Sequence, residues 1–153
     1  MSLASGVAIN DECISAFNEL RMGKGGNKPK FIIFKISDDK KQVVVDEASQ
    51  DTDYEVFRSK LDAARDDNGN PVPRYAVYDV EYDLGGGEGK RSKIMFISWV
   101  PSDCGGRWPM IYASTREVLK NALNLTNSIH ADDKGDIEWK TLLSEASGGK
   151  AGK

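Results

Sequence analysis

Residues 94–100 read Ile94-Met-Phe-Ile-Ser-Trp-Val100, a run in which apolar side chains follow one another instead of alternating with polar ones. A strand wet on one face alternates, whereas a strand covered on both faces reads as a nearly continuous apolar stretch. The segment is therefore expected to be the central strand of a sheet with helices on either side. Just before it lies a second β-rich segment, Tyr75 to Tyr82, and between the two stands Gly85-Gly-Gly-Glu-Gly89. That order predicts a long hairpin, Tyr75–Tyr82 against Lys93–Val100, with a mobile glycine tip.

Moving toward the N-terminus, the loop Asp66-Asp-Asn-Gly-Asn-Pro-Val-Pro73 holds too many turn residues to sustain any period. Ahead of it a helix fits Asp53 to about Ala64, with Tyr54, Phe57 and Leu61 on one side and Arg58, Lys60 and Asp62 toward water. Phe31-Ile-Ile-Phe-Lys-Ile36 and Gln42-Val-Val-Val45, separated by Ser37-Asp-Asp-Lys-Lys41, read as a first hairpin. Asn10 followed by Asp11 and Glu12 is a helix start, a capping side chain and then acids that suit the helix dipole. Cys13, Ala16, Phe17 and Leu20 continue it until Gly23 to Gly26 end it.

Toward the C-terminus a third helix is expected from about Pro109, a favoured first-turn residue, to Leu123. Leu125 to Ile129 fit a strand, and Trp139, Leu142, Leu143 and Ala146 mark a last short helix. Interleaved strands and helices predict an α/β (α+β) domain, one mixed sheet sandwiched between two helical layers. The expected organisation is a flexible N-terminal arm over residues 1–9, a single domain over 10–147 and a loose tail over 148–153.

The bulk numbers agree with one domain. A chain of 153 residues buries about 70% of its unfolded surface. The formal net charge of -3 gives no general attraction to nucleic acid, so an anionic partner has to be met by a local basic patch. No apolar run approaches the roughly 20 residues of a membrane span, and Met1-Ser-Leu-Ala-Ser-Gly6 lacks the charged segment followed by an apolar one that marks a secretory leader. A cytoplasmic protein without membrane insertion is expected. The two cysteines, Cys13 and Cys104, have no metal-binding spacing and are expected as reduced thiols.

Residues that could carry chemistry do not converge. Gly85-Gly-Gly-Glu-Gly-Lys-Arg-Ser92 lacks the spacing of a phosphate-binding loop, because position 84 is Leu, and it joins two strands rather than a strand and a helix. His130 is the single histidine, which leaves no His-His metal site. The acidic pairs Asp38-Asp39, Asp66-Asp67 and Asp132-Asp133 all fall in polar connections. No catalytic residue, metal or cofactor is expected.

What remains is a recognition surface on the third helix. At 100° per residue, Ile111, Val118, Leu119 and Ala122 share one side and are expected to be buried. The opposite arc holds Met110, Ala113, Ser114, Glu117 and Asn121, with Arg116 and Lys120 at its edge. An exposed helix face is usually dense in Lys and Glu. Small residues around a methionine instead let a partner approach closely and adapt to a soft side chain.

Several blocks then line up in order: Ser5-Gly-Val7, Phe17-Asn-Glu-Leu20, Tyr75-Ala-Val-Tyr-Asp79 with Glu81-Tyr82, Gly89-Lys-Arg-Ser-Lys-Ile94, Trp99-Val-Pro101 with Asp103, and Met110-Ile-Tyr-Ala-Ser-Thr-Arg116 running on to Leu123. Over almost the whole chain these resemble the actin-depolymerising factor/cofilin family in its fungal-type form. The resemblance implies the gelsolin-like ADF-homology fold and a monomeric protein that binds actin monomers and filament sides, twisting, severing and depolymerising filaments. It implies a monomer-binding surface of Ser5, Gly6 and Val7 in the arm, Arg107 in the turn before the helix, and Met110, Ser114, Arg116 and Lys120 on it. A filament-side contact is implied at Arg91, Lys93 and Glu145. A phosphoinositide footprint is implied at Lys90, Arg91, Arg107, Arg116 and Lys120, and a phosphorylation site at Ser5. Location follows actin, in the cytoplasm and, with actin, the nucleus.

The text departs from the family in three places. Trp108-Pro109 precedes Met110 where many relatives carry lysine, and Asn121 follows Lys120 where a second basic residue is usual; both imply weaker monomer and phosphoinositide binding. Ser144-Glu145 and the glycines after them stand where relatives often carry basic residues, which implies weaker filament-side binding and severing. The loop from Asp66 to Pro73 is longer than in close relatives. Two rival classes follow, a phosphoinositide-regulated monomer-binding or signalling module with little severing, and an enzyme on a similar scaffold.

Overall fold

The computed structural model describes residues 7–22, 28–83 and 89–147, without the side chains of Asp83, Lys90 and Arg91. In chain order its elements are β1 (Ala8–Ile9), α1 (Asp11–Met22), β2 (Phe31–Ile36), β3 (Gln42–Ser49), α2 (Tyr54–Asp62), β4 (Arg74–Asp83), β5 (Lys90–Trp99), α3 (Trp108–Ala122), β6 (Ser128–Ala131), a 3-10 turn (Lys134–Ile137) and α4 (Trp139–Ser147). The six strands form one sheet in the order β1-β3-β2-β4-β5-β6. Pairing is antiparallel except where β1 meets β3 and β5 meets β6, so the sheet is mixed.

Both expected hairpins are present, β2 with β3 and β4 with β5 along their full lengths. Of the glycine tip only Gly89 is among the described residues. It sits at φ 82, a left-handed conformation that costs glycine little. β5 is covered on both faces, as its apolar run required, yet it is not the central strand: β2 and β4 hold the middle of the order. Those two carry the same signature, since Phe31 to Phe34 and Tyr75 to Val80 are buried without interruption. A continuous apolar run reports coverage of both faces, not distance from the edge, and the short strand β6 is enough to bring β5 inside.

Alternating side chains split the core into two layers. Phe31, Ile33, Ala76, Tyr78, Met95, Ile97 and Trp99 pack with Phe57 and Leu61 of α2 and Leu142 and Ala146 of α4. Ile32, Phe34, Ile36, Tyr75, Val77 and Phe96 pack instead with Cys13, Phe17 and Leu20 of α1 and Tyr112 and Leu119 of α3. On β3 the register shifts at Asp46, whose carboxylate is met by Arg74 Nε at 3.2 Å.

The local signals for α1 and α2 act as read. Asn10 Oδ1 accepts from Glu12 N at 2.9 Å, and Asp53 Oδ1 accepts from Glu55 N at 3.0 Å. Arg58 does not simply face water. It donates to the Glu55 carboxylate at 3.0 Å and to the Lys134 carbonyl at 2.7 Å, tying α2 to the 3-10 turn. The expected strand near Leu125 lies slightly later, at Ser128–Ala131.

The N-terminal arm is tied down earlier than its sequence suggested. Ala8 N donates to the Lys41 carbonyl at 2.9 Å and Asn10 N to the Val43 carbonyl at 3.0 Å, which makes Ala8–Ile9 a strand of the sheet. Val7 is 2% exposed and belongs to the α1/α3 core layer. The tail from 148 onward lies outside the described residues. In the 66–73 loop residues 66–70 form a laced surface turn, in which Asp66 Oδ1 accepts from Asn68 N and Asn70 N, each at 2.9 Å, and Val72 and Pro73 then turn into the protein.

Candidate interaction surface

The helix α3 is 15 residues long, carries a proline in its first turn and ends at Leu123, whose N–H returns to the Leu119 carbonyl. Its inward side is set by Tyr112. The Tyr112 hydroxyl accepts from Ile36 N at 2.9 Å, and its carbonyl accepts from the Tyr75 hydroxyl. The two tyrosine rings stand 4.8 Å apart. Burial pushes the Tyr112 phenol up to about 12 and raises Tyr75 as well, so both stay protonated and bonded at neutral pH.

This corrects the expected buried face. Tyr112, Thr115 and Leu119 point inward, Ile111 and Val118 flank them, and Ala122 is exposed. The helix is rolled by roughly 60° from the expected orientation, at 100° per residue. A tyrosine that buries a ring and satisfies two long-range hydrogen bonds outweighs an isoleucine at the neighbouring position.

The outer arc survives that roll. Met110 is 66% exposed, and Ala113, Ser114, Glu117 and Asn121 are exposed with it. Ser114 Oγ donates back to the Ile111 carbonyl at 3.1 Å, so the hydroxyl is turned onto the helix and the arc is left soft and weakly polar. Arg116 and Lys120 sit at one edge, each 3.9 Å from Glu117 Oε1. Pairs of that length hold side chains only lightly, and the two cations lie half-buried along the rim, with the Lys120 side chain 18% exposed. Arg107 is exposed at the entrance to the helix and makes no capping bond.

The expected site residues thus divide. Arg107, Met110, Ser114, Arg116 and Lys120 come together on one ridge. Ser5 and Gly6 lie outside the described residues. Val7, expected to touch a partner from the arm, is a core residue whose side chain anchors the arm instead. Lys90 and Arg91 lie on the β5 backbone at the hairpin base, opposite Asp83 and Tyr82. Lys93 is exposed; it shares a face of β5 with Met95, the face covered by α2 and α4, and Glu145 is exposed on α4. The structure therefore sets Lys93 and Glu145 across the sheet from the α3 ridge.

Other reactive groups belong to the framework. Cys13 is buried and donates to the Val43 carbonyl at 3.3 Å, and burial pushes its thiol up to about 12. Cys104 is half-buried and free. His130 is exposed on β6. Asp132, Asp133 and Asp136 gather, but Asp133 Oδ1 accepts from Gly135 N at 2.8 Å and Asp136 Oδ2 from Asp132 N at 3.1 Å, so the carboxylates cap the 3-10 turn. A polar groove of about 340 Å³ between Arg21, Lys28, Asn124 and Asn127 contains buried Asp79, whose charge is met by Lys28 at 3.2 Å.

Sequence reading missed one feature of the ridge. Lys40, from the β2–β3 turn, stands over the Trp108 ring with Nζ 4.6 Å from its centre. Nothing in the spacing of either residue links the two, because the contact is made only when the sheet brings the turn beside α3.

Residues 6–147 match the family described as cofilin/tropomyosin-type actin-binding protein. A protein named Cofilin from Gibberella zeae is 45% identical over 152 residues, covering 96% of this chain and 97% of the relative. The Cofilin of Saccharomyces cerevisiae is 40% identical over 146 residues, with 95% of each chain covered. The crystal structure of Streptomyces griseoflavus Cofilin superposes with a TM-score of 0.79 at 33% identity, covering 94% of this chain and 99% of that one. With the mixed sheet between two helical layers and the exposed α3 ridge in place, these matches establish that the chain belongs to the cofilin/actin-depolymerising factor family.

Proposed function

We propose that the protein binds actin monomers and filament sides, and that it severs and depolymerises filaments by surface contact. The observation that carries this is the outer arc of α3, a methionine among small residues with cations along one edge, standing free of the protein's own core. Its family is a class of actin-binding proteins without enzymatic activity, and the place of action is the cytoplasmic actin cytoskeleton. Met110 enters an apolar cleft on actin while Arg107, Arg116 and Lys120 orient the approach and raise the on-rate. Lys93 and Glu145 make a second contact from the other side of the sheet with a neighbouring subunit, and Arg91 at the hairpin base is expected to join it. Binding the twisted filament more tightly than the straight one shifts the filament toward twist, and breakage follows at boundaries between decorated and bare stretches.

Two forms of regulation fit the same surface. The ridge cations Arg107, Arg116 and Lys120 offer phosphoinositide head groups a footprint that excludes the actin monomer while occupied, and Lys90 and Arg91 at the hairpin base are its expected extension. A phosphate on Ser5 adds about -1.5 to -2 charges to an arm that must lie against actin, and it blocks docking.

One observation favours a weaker second activity. The exposed residues of α4 include Lys140, Ser144 and Glu145, with a single cation among them, so the filament-side contact is thin and severing is slow relative to monomer binding. Fluorescence titration against ADP-actin monomers, together with microscopy of single labelled filaments, tests both readings. Saturable monomer binding with fragmentation supports the first. Decoration without fragmentation supports the second, and no binding to either form of actin rejects both.

A further inference from the structure

The β2–β3 turn, Ser37 to Lys41, touches both halves of the proposed monomer surface. On one side its backbone holds the N-terminal strand, through Ala8 N and the Lys41 carbonyl at 2.9 Å. On the other, Lys40 Nζ lies 4.6 Å from the ring centre of Trp108, the first residue of α3. A cation within about 6 Å of an indole face is attracted by the ring quadrupole, and indole is the best aromatic partner for it. At the start of the turn Ile36 N donates to the Tyr112 hydroxyl at 2.9 Å, and Trp108 stands edge-on to that tyrosine at 5.8 Å.

The turn is built to keep this geometry. Ser37 N donates to the Gln42 carbonyl and Lys40 N to the Ser37 carbonyl, each at 2.8 Å. The Asp39 carboxylate accepts from Ser37 Oγ at 2.6 Å and from Lys41 N at 3.0 Å. Between them Lys40 adopts φ 62, a left-handed conformation that a residue with a side chain keeps only when its surroundings fix it. A laced turn of this kind does not swing freely, so the ammonium it carries is held against Trp108.

We propose that Lys40 and Trp108 form a clasp that sets the start of α3 in register with the N-terminal strand, so that arm and ridge meet the actin monomer as one surface. Both are positioning residues. The inference rests on the monomer-binding reading above and extends it to Lys40, and to Trp108, which the resemblance marked only as part of a departure from the family text. The physical gain is pre-organisation: two segments far apart in the chain that moved independently would each have to be ordered on binding, and that cost would appear as lost affinity.

The test uses the full chain with Lys40→Ala, Lys40→Arg, Trp108→Leu and the double variant Lys40→Ala/Trp108→Leu. Amide exchange at Ala8 and Ile36 in the free protein reads the clasp without actin, and fluorescence titration with actin monomers reads its consequence. Lys40→Ala is expected to speed both amides and weaken monomer binding about twofold to fivefold, and Lys40→Arg is expected to restore both. In the Trp108→Leu background Lys40→Ala is expected to add nothing, because the partner through which it acts is gone. If Trp108→Leu lowers the thermal midpoint sharply, the decision passes to amide exchange in the free protein, where Lys40→Ala must speed Ala8 and Ile36 and Lys40→Arg must restore them. An additive loss in the double variant would show Lys40 touching actin directly, and it overturns the clasp. Unchanged exchange in Lys40→Ala overturns it whatever the affinity. Changed exchange in a protein that binds no actin overturns the monomer-binding reading instead.

Discussion

The two faces of the sheet are equally dry underneath and quite different outside. On the α2/α4 side the core is aromatic: Phe31 stands 5.0 Å from Phe57, and Tyr54 stands 5.0 Å from Tyr78 and 5.1 Å from Trp139. That cluster holds α4, which at nine residues is shorter than the roughly 12–15 that an isolated helix needs in water. On the α1/α3 side the longer α3 is fixed by Leu119 and by the two hydrogen bonds of Tyr112, and its outer arc is left almost without charge. Packing alone therefore does not tell which face recognises a partner. The distinction lies in what each helix leaves outside, a broad soft ridge on α3 and scattered polar side chains on α4.

Four substitutions or measurements sharpen that contrast. The largest effects should be the same on both faces, because both cores are closed: Leu119→Ala and Leu142→Ala, each fully buried, should each cost about 2–5 kcal/mol in denaturant unfolding. A loss confined to one face would mean that the other layer is loosely packed. Next, Lys120→Glu should reduce monomer affinity at least about tenfold, or about 1.4 kcal/mol, by reversing the charge on the rim of the ridge. Unchanged affinity in titration would detach the ridge from actin. Arg91→Ala with Lys93→Ala should weaken filament co-sedimentation by a smaller factor, about threefold, since a surface charge such as that of the exposed Lys93 is worth under about 1 kcal/mol. Equal losses in monomer and filament binding would show that the two faces are one site.

The smallest effect concerns thiols and touches no partner. A thiol reagent at pH 8 should label Cys104 slowly and leave Cys13 intact until the protein unfolds, since burial holds the Cys13 thiol in its protonated form up to about 12. Burial also raises Cys104, but to a smaller extent and in a half-open position. Equal labelling rates would contradict the closed packing of α1 on the sheet.

Much of this was legible in the sequence for local reasons. The caps at Asn10 and Asp53 act within two residues, and the doubly covered strands announce themselves by unbroken apolar text. The outer arc of α3 was readable because it depends on the absence of charge at positions set by helix period alone. The inner side was not. Tyr112 points inward because of bonds to Ile36 and Tyr75, which lie 76 and 37 residues away, and no periodicity carries that information. Likewise β1 has two residues, too few to show a period, so Val7 read as part of a loose arm when its side chain is an anchor. The place of β5 in the sheet depended on whether a four-residue strand would pair beside it, a tertiary event without a signature in residues 94–100.

Methionine footprinting asks whether actin covers the α3 ridge, with controls inside the molecule. Met110 on the ridge and Met22 at the end of α1 are similarly exposed, 66% and 62%, while Met95 is buried at 1%. Brief hydroxyl-radical oxidation of the free protein should modify Met110 and Met22 alike and spare Met95. In complex with actin monomers Met110 should be strongly protected while Met22 is still oxidised. Protection of Met22 with Met110 still open would place actin elsewhere and contradict the assignment to the ridge.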